Sequence, residues 1–298
     1  MLLTGAGGFI GRHLQRVLLD RGYQLRVLLR PGSRNHANID PRCEICRGEL
    51  TDLDALAQAL DGVTAAVYAA GAVRGRSGGD FRQANVAGVE SLVAAMGAAS
   101  VPPQLVLLSS LAAERPELSD YACSKRAGED VLRGSAGISW SILRPPAVYG
   151  PGDVELRPLL KLVRAGLLVC PGPADQRLAL LHVHDLARAV AACLEHPAAC
   201  RHGCFALDDG KPGGYDWSEV ADAVAGRQVP RITVPRWLLD TLARGNLLLS
   251  GVLGYAPMLT PGKVRELQQA SWLCDNRPLT LATGWQPQIG LAQGAATL

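Results

Sequence analysis

The opening eleven residues, Met-Leu-Leu-Thr-Gly-Ala-Gly-Gly-Phe-Ile-Gly, constrain this chain more than any other stretch. An apolar run suited to a buried strand turns through glycines into residues 12–21, whose apolar side chains recur at helical spacing. Gly5, Gly8 and Gly11 stand three apart, with Gly7 between them. Such a turn is sharp, lets the backbone approach a ligand closely, and packs the first helical turn tightly on the sheet. Free N–H groups and the positive end of the helix dipole then face an anion, and the spacing points to the pyrophosphate of a dinucleotide.

Behind this turn, strand and helix patterns alternate. Strands are expected at 24–29, 43–48, 64–68, 105–108 and 140–143, with helices at 51–60, at 81–99 and around Tyr121 and Lys125. That alternation predicts an α/β fold, a parallel, doubly wound sheet. After residue 143 the pattern changes to a rigid loop, Arg144-Pro145-Pro146 and then Tyr149-Gly150-Pro151-Gly152. A helix at 154–166, a strand-like run at 178–183, a helix at 185–195 and a final parallel strand at 204–207 follow. The expected division is a cofactor domain over 1–150, to which 178–208 return. A small C-terminal substrate-binding lobe then takes 151–177 and 209–298, and the apolar segment 238–259 suits a greasy lobe of that kind.

The strand at 24–29 ends at Arg30, followed by Ser33 and Arg34. An acidic residue there would bind a ribose 2′-hydroxyl, whereas arginine suits a 2′-phosphate, so NADP is preferred over NAD. Glu49, after the third strand, is placed to receive an adenine amino group. Ala69-Ala70-Gly71 follow the fourth strand and let backbone pass beside ribose and phosphates. Asn85 is a polar choice among Ala84, Val86 and Ala87. Tyr121 and Lys125, four apart on one helix, share a face, and Ser110 ends the neighbouring strand at the sheet's carboxyl edge. An ammonium beside a phenol favours the phenolate. Tyr121 can then exchange a proton with an alcohol or carbonyl oxygen that Ser110 holds, while hydride moves to or from a nicotinamide.

Basic and acidic residues number 30 and 27, interspersed, which excludes a nucleic-acid surface. The apolar stretch 246–259 is broken by Ser250, Gly251, Gly254 and Pro257, too short to span a bilayer, so no membrane partner is expected. The first strand begins at Met1, so no secretory leader is expected before it, although its shortness leaves room for a few residues upstream. The eight cysteines form neither a zinc-ribbon spacing nor a disulfide framework, so no metal is expected and the placement is cytoplasmic.

Taken together, Thr4 to Gly11, Asn85-Val86-Ala87-Gly88, Ser109-Ser110, Tyr121 to Lys125, Leu143-Arg144-Pro145, Val148 to Gly152 and His182 to Ala187 resemble an extended short-chain dehydrogenase/reductase of the NAD(P)-dependent epimerase/dehydratase superfamily. The resemblance implies a Rossmann-like domain with Ser110, Tyr121 and Lys125 as the catalytic triad. It also implies a cofactor held by Gly5, Gly7, Gly8, Phe9, Ile10, Gly11, Arg30, Ser33, Glu49, Leu50, Ala69, Ala70, Gly71, Asn85, Ser109, Tyr121, Lys125, Pro145 and Val148. His182 and His184 are then structural, and helices 81–99 and 121–134 are the expected homodimer surface. Sugar-nucleotide members carry Arg-Asp-Phe where this chain has Leu178-Ala179-Leu180, although neighbouring Arg177 remains a candidate diphosphate ligand at the substrate site. The acidic pair of sugar dehydratases beside the serine is replaced by Leu111-Ala112-Ala113. The expected activity is hydride transfer between nicotinamide and a secondary alcohol or ketone of a small molecule. A nucleotide-sugar epimerase or dehydratase is the alternative, and a non-catalytic NADP-binding sensor the third reading.

Overall fold

The computed structural model describes residues 1–173 and 175–297. Short apolar strands buried on both faces form its centre. β1 (Leu2–Thr4), β2 (Arg26–Leu29), β3 (Glu44–Arg47), β4 (Ala65–Tyr68), β5 (Gln104–Leu108), β6 (Trp140–Arg144) and β7 (Gly203–Ala206) make one parallel sheet in the order β7-β6-β5-β4-β1-β2-β3. Side chains alternate across it. Leu3, Val67, Val106 and Leu143 face one layer, with Leu14 and Leu18 of α1 (Phe9–Asp20). Leu2, Ala66, Leu105 and Ile142 face the other, with Leu56 of α2 (Leu53–Leu60), Leu92 of α3 (Gly88–Gly97) and Leu132 of α4 (Asp120–Arg133). α5 (Val183–Glu195) joins the first layer through Leu186 and Val190. Burial on both faces is why these strands read as unbroken apolar runs. Strand order reverses between β1 and β4, and ligands bind outside the carboxyl ends of the strands at such a switch point.

Two expected elements are divided. The helix anticipated over 81–99 is a short helix, Gly78–Arg82, then a π-helical turn, Gln83–Ala87, then α3. The wide turn frees Asn85, whose amide nitrogen donates to Ala72 O (3.1 Å) and Ser124 Oγ (2.9 Å) while its oxygen accepts from Ala72 N (3.0 Å). The strand-like run at 178–183 is divided because Leu178 pairs with Tyr215 and His182 ends its strand to cap α5. His182 is buried edge-on to Tyr149, centroids 5.4 Å apart, and its Nδ1 accepts from His184 N.

Beyond β7, α6 (Arg236–Leu253) and α7 (Pro261–Leu267) pack together through Leu239, Ala243 and Val264. Within the apolar segment 238–259, most of the large apolar side chains of α6 point outward. Among the described residues, no helix is long and apolar enough to cross a membrane.

The strongest polar anchor of the core is Glu129 on α4. It accepts from Arg144 Nε (2.8 Å) and Nη2 (2.6 Å), Arg133 Nη2 (2.9 Å) and Ser109 Oγ (2.5 Å). Burial works to raise its pKa, but the hydrogen bonds from Arg144 and Ser109 outweigh burial and hold the carboxyl below its ordinary range. Ser109, expected at the cofactor, therefore turns its hydroxyl into the interior.

Glu129→Ala strands the Arg144 guanidinium in the protein, and urea unfolding is expected to show a loss of about 3–5 kcal/mol. A loss below about 1 kcal/mol would mean that water reaches this pair. His182 gives a pH signature. Burial above all lowers its pKa from 6.5 to about 4, so the unfolded chain binds the extra proton more readily. The ring's contribution to stability is complete above pH 6.5 and falls as the pH drops from 6.5 toward 4. His182→Asn is expected to flatten the thermal-unfolding profile across that window.

Candidate active site

The glycine turn is held open by geometry. Gly5 sits at φ +69°, and a Cβ there would lie 2.6 Å from the backbone of Ala69 and Ala70. A Cβ on Gly11 would collide with the Gly5 carbonyl, so strand end and helix meet without side chains between them. Gly8 caps α1 with no side-chain partner and no acidic residue in the first turn, leaving that end electropositive. Phe9 and Ile10 follow as its first, half-buried residues. Over Gly7 folds the 3₁₀ turn Arg34–Asn38, with Asn38 Nδ2 donating to Gly7 O (3.1 Å). Gln15 fixes both parts, donating to Ala6 O (2.9 Å) and Asn38 O (3.2 Å) and accepting from Asp40 N (2.7 Å). Gln15 was missed in the sequence, where it reads as one more helical polar residue.

Beside this turn opens a cavity of about 350 Å³ lined by Arg30, Pro31, Gly32, Ser33, Arg34, Asn35 and Glu49. Arg30, Ser33 and Glu49, three candidates drawn from separate segments, thus border one space. Leu50 lies next to it, half-buried against the core. A glycine cradle, bordered over Gly7 by Asn35 and Asn38 and leading into a basic cavity, fits a nicotinamide dinucleotide.

At the other end of the crevice stands α4. Tyr121 lies edge-on to buried Phe81, centroids 6.1 Å apart, and Ser110, at the end of β5, accepts from Ala112 N through its hydroxyl (3.2 Å). Burial first, then the charge of Glu266, pushes Tyr121 up to about 12, against the lowering effect of Ser110. Burial thus opposes the phenolate that the neighbouring ammonium is expected to favour. Burial brings Lys125 down to about 8, with Glu129 opposing. Its Nζ donates to Leu108 O (3.0 Å) and borders the strip Ala69-Ala70-Gly71, where a Cβ on Gly71 would lie 3.2 Å away. Asn85 borders the same glycine and holds Ala72. Pro145 stands beside the serine's neighbour, since Leu111 N donates to Pro145 O (2.8 Å), and Val148 packs half-buried against the core.

Arg177 does not join this group. Its guanidinium is engaged by Glu219 (3.0 Å) and Asp216 (4.0 Å), the pair that caps helix Trp217–Ala225. Two acidic residues were not anticipated. Glu129 lies one turn beyond Lys125 on the same helix face, a spacing that marks it in hindsight. Glu266 accepts from Ser119 Oγ at the start of α4 and comes from a distant segment that no local pattern connects.

The sequence model of the NAD dependent epimerase/dehydratase family matches residues 1–204. The chain is 34% identical over 297 residues to a ceramide reductase of Caulobacter vibrioides, covering 98% of this chain and 90% of that protein. It is 30% identical over 243 residues to a 2-alkyl-3-oxoalkanoate reductase of Stenotrophomonas maltophilia, covering 71% of each. The fold is shared with the UDP-glucuronic acid 4-epimerase of Bacillus cereus, solved with UDP-glucuronic acid and NAD. There the TM-score is 0.74 at 18% identity, over 99% of this chain and 96% of that one. With its parallel sheet, glycine cradle and Ser110–Tyr121–Lys125 constellation, the chain belongs to the NAD-dependent epimerase/dehydratase family and is an NAD(P)-dependent enzyme of the extended short-chain dehydrogenase/reductase type.

Proposed function

We propose that the protein is an NADP-dependent reductase of a ketone on an apolar, chain-bearing small molecule. The observation that carries this reading is the placement of Lys125, whose Nζ donates to Leu108 O (3.0 Å) beside Gly71, one helical turn after Tyr121 on the helix that follows Ser110. Burial raises the pKa of the Tyr121 phenol and so favours its protonated form. A protonated phenol is the form that gives a proton to a carbonyl oxygen. When bound, the cofactor supplies the hydride. Ser110 donates a hydrogen bond to the carbonyl oxygen and sets its direction, and Tyr121 delivers the proton to that same atom. Lys125, still protonated at neutral pH, holds the ribose side of the crevice and stabilises the phenolate that proton transfer leaves behind. Arg30 and Ser33 receive the 2′-phosphate, which is why NADP is preferred here over NAD.

The substrate class draws support from the relatives, one named for ceramide and another for a 2-alkyl-3-oxoalkanoate. A nucleotide-sugar substrate is disfavoured by Arg177, whose charge is already held by Glu219 and Asp216. The eight unpaired thiols suit the reducing cytoplasm.

Tyr121→Phe is expected to cut ketone reduction roughly 10²–10⁴-fold, with NADPH binding, followed by fluorescence, intact. Unaltered turnover would remove Tyr121 from the chemistry. Arg30→Ala is expected to weaken NADPH roughly tenfold or more while NADH affinity holds. Equal losses for both cofactors would rule out the 2′-phosphate role.

A further inference from the structure

We propose that α6 docks the protein on the surface of an anionic bilayer, from which an apolar substrate enters the crevice beside Tyr121. The inference deepens the apolar-substrate reading above and rests on it. Its starting point is a helix built inside out. α6 turns Leu239, Ala243 and Ser250 into the protein. At about 100° per residue, the opposite side carries Trp237, Leu248 and Val252, while Leu242, Leu249 and Leu253 are exposed along one flank. Leu248 is 76% exposed and Val252 84%. A surface helix normally presents polar residues there, and a continuous apolar face marks an interaction surface.

Charge selects the occupant. Residues 227–267, to the end of α7, hold six basic side chains against Asp240 and Glu266, a net +4 in a chain whose total is +3, with Lys263 paired to Glu266 (2.9 Å). Arg231, Arg236 and Arg244 are exposed around the apolar face. Asp240 is paired with Arg236 at 3.7 Å. Apolar side chains ringed by arginines match the acyl boundary and anionic headgroups of a membrane surface. A second copy of the chain would instead set this positive stretch against itself. Since α6 does not qualify as a membrane-crossing helix, it lies in the interface plane.

The route inward is short. α6 packs on α7 through Leu239, Ala243 and Val264. α7 closes on the start of α4, where Glu266 accepts from Ser119 Oγ and a Cβ on Gly262 would lie 2.8 Å from Ser119 Cβ. Ser119 is two residues before Tyr121. This departs from the expectation of a chain without a membrane partner, which judged the apolar run only by its fitness to span.

Flotation of the intact chain with vesicles tests the proposal. Binding is expected to equimolar phosphatidylglycerol and phosphatidylcholine, to weaken with added salt, and to be poor on phosphatidylcholine alone. Leu248→Glu combined with Val252→Glu, both at exposed positions, is expected to reduce binding roughly tenfold or more. Circular dichroism and thermal unfolding of the variant confirm that its fold is kept. Failure of the wild type to float, or equal flotation of the variant, overturns the proposal. A dimer on gel filtration that the variant loses, with no vesicle binding, overturns it in favour of a copy-to-copy interface. Flotation needs no turnover, so a failed reductase assay and a failed docking element are read separately.

Discussion

The close approach of α4 to the π-helical turn governs the site. A Cβ on Gly128 would collide with the carbonyl of Asn85, so the two helices meet backbone to backbone at that point. Contact this close fixes the rotation and height of α4, because a packed core resists small slips. Lys125 stands one residue short of a helical turn before Gly128, and Tyr121 lies a full turn earlier. Where Gly128 touches Asn85 therefore decides where the ammonium and the phenol project. Asn85 does two jobs in one place: its carbonyl receives α4, and its amide grips both backbone groups of Ala72 beside the cofactor strip.

Electrostatics then sort the helix by depth. Tyr121, Lys125 and Glu129 recur every four residues along one stripe. At the mouth, burial dominates and raises the pKa of the phenol. At the floor, Glu129 meets two arginines and stays charged despite burial. Between them Lys125 sits close to its switching point at about 8, pulled down by desolvation and supported by the carboxylate one turn away. Each residue type has its ordinary chemistry; surroundings separate their roles.

Local pattern made the Rossmann-like core legible. Strands buried on both faces leave continuous apolar runs, and the turn at Gly5 to Gly11 is marked by its glycine spacing together with the strand before it and the helix after it. Arg30 and Ser33 follow β2 and Glu49 follows β3, so the sheet brings all three to one cavity. What escaped depends on contacts between distant segments. Asn85 was visible as an odd polar residue, but the π-helical turn that frees it requires Gly128 and Ala72 in place. Ser109 sat at the right strand end, yet its hydroxyl had a better partner in buried Glu129. Glu266 reaches Ser119 across 147 residues of chain.

Which way the apolar side of residues 238–259 faces was not legible in the sequence. Periodicity reports that a helix has an apolar side and says nothing about what that side meets, a neighbouring element or the exterior. In α1 and α5 the apolar stripe meets the sheet, and the sequence pattern and the core coincide. In α6 the smaller side, Leu239 and Ala243, is already enough to seat the helix on α7, so the larger apolar side is surplus to folding. Large apolar side chains left in water gain nothing for the isolated chain. Their presence is therefore accounted for by a surface outside the monomer, and the arginines around them specify which charge that surface carries.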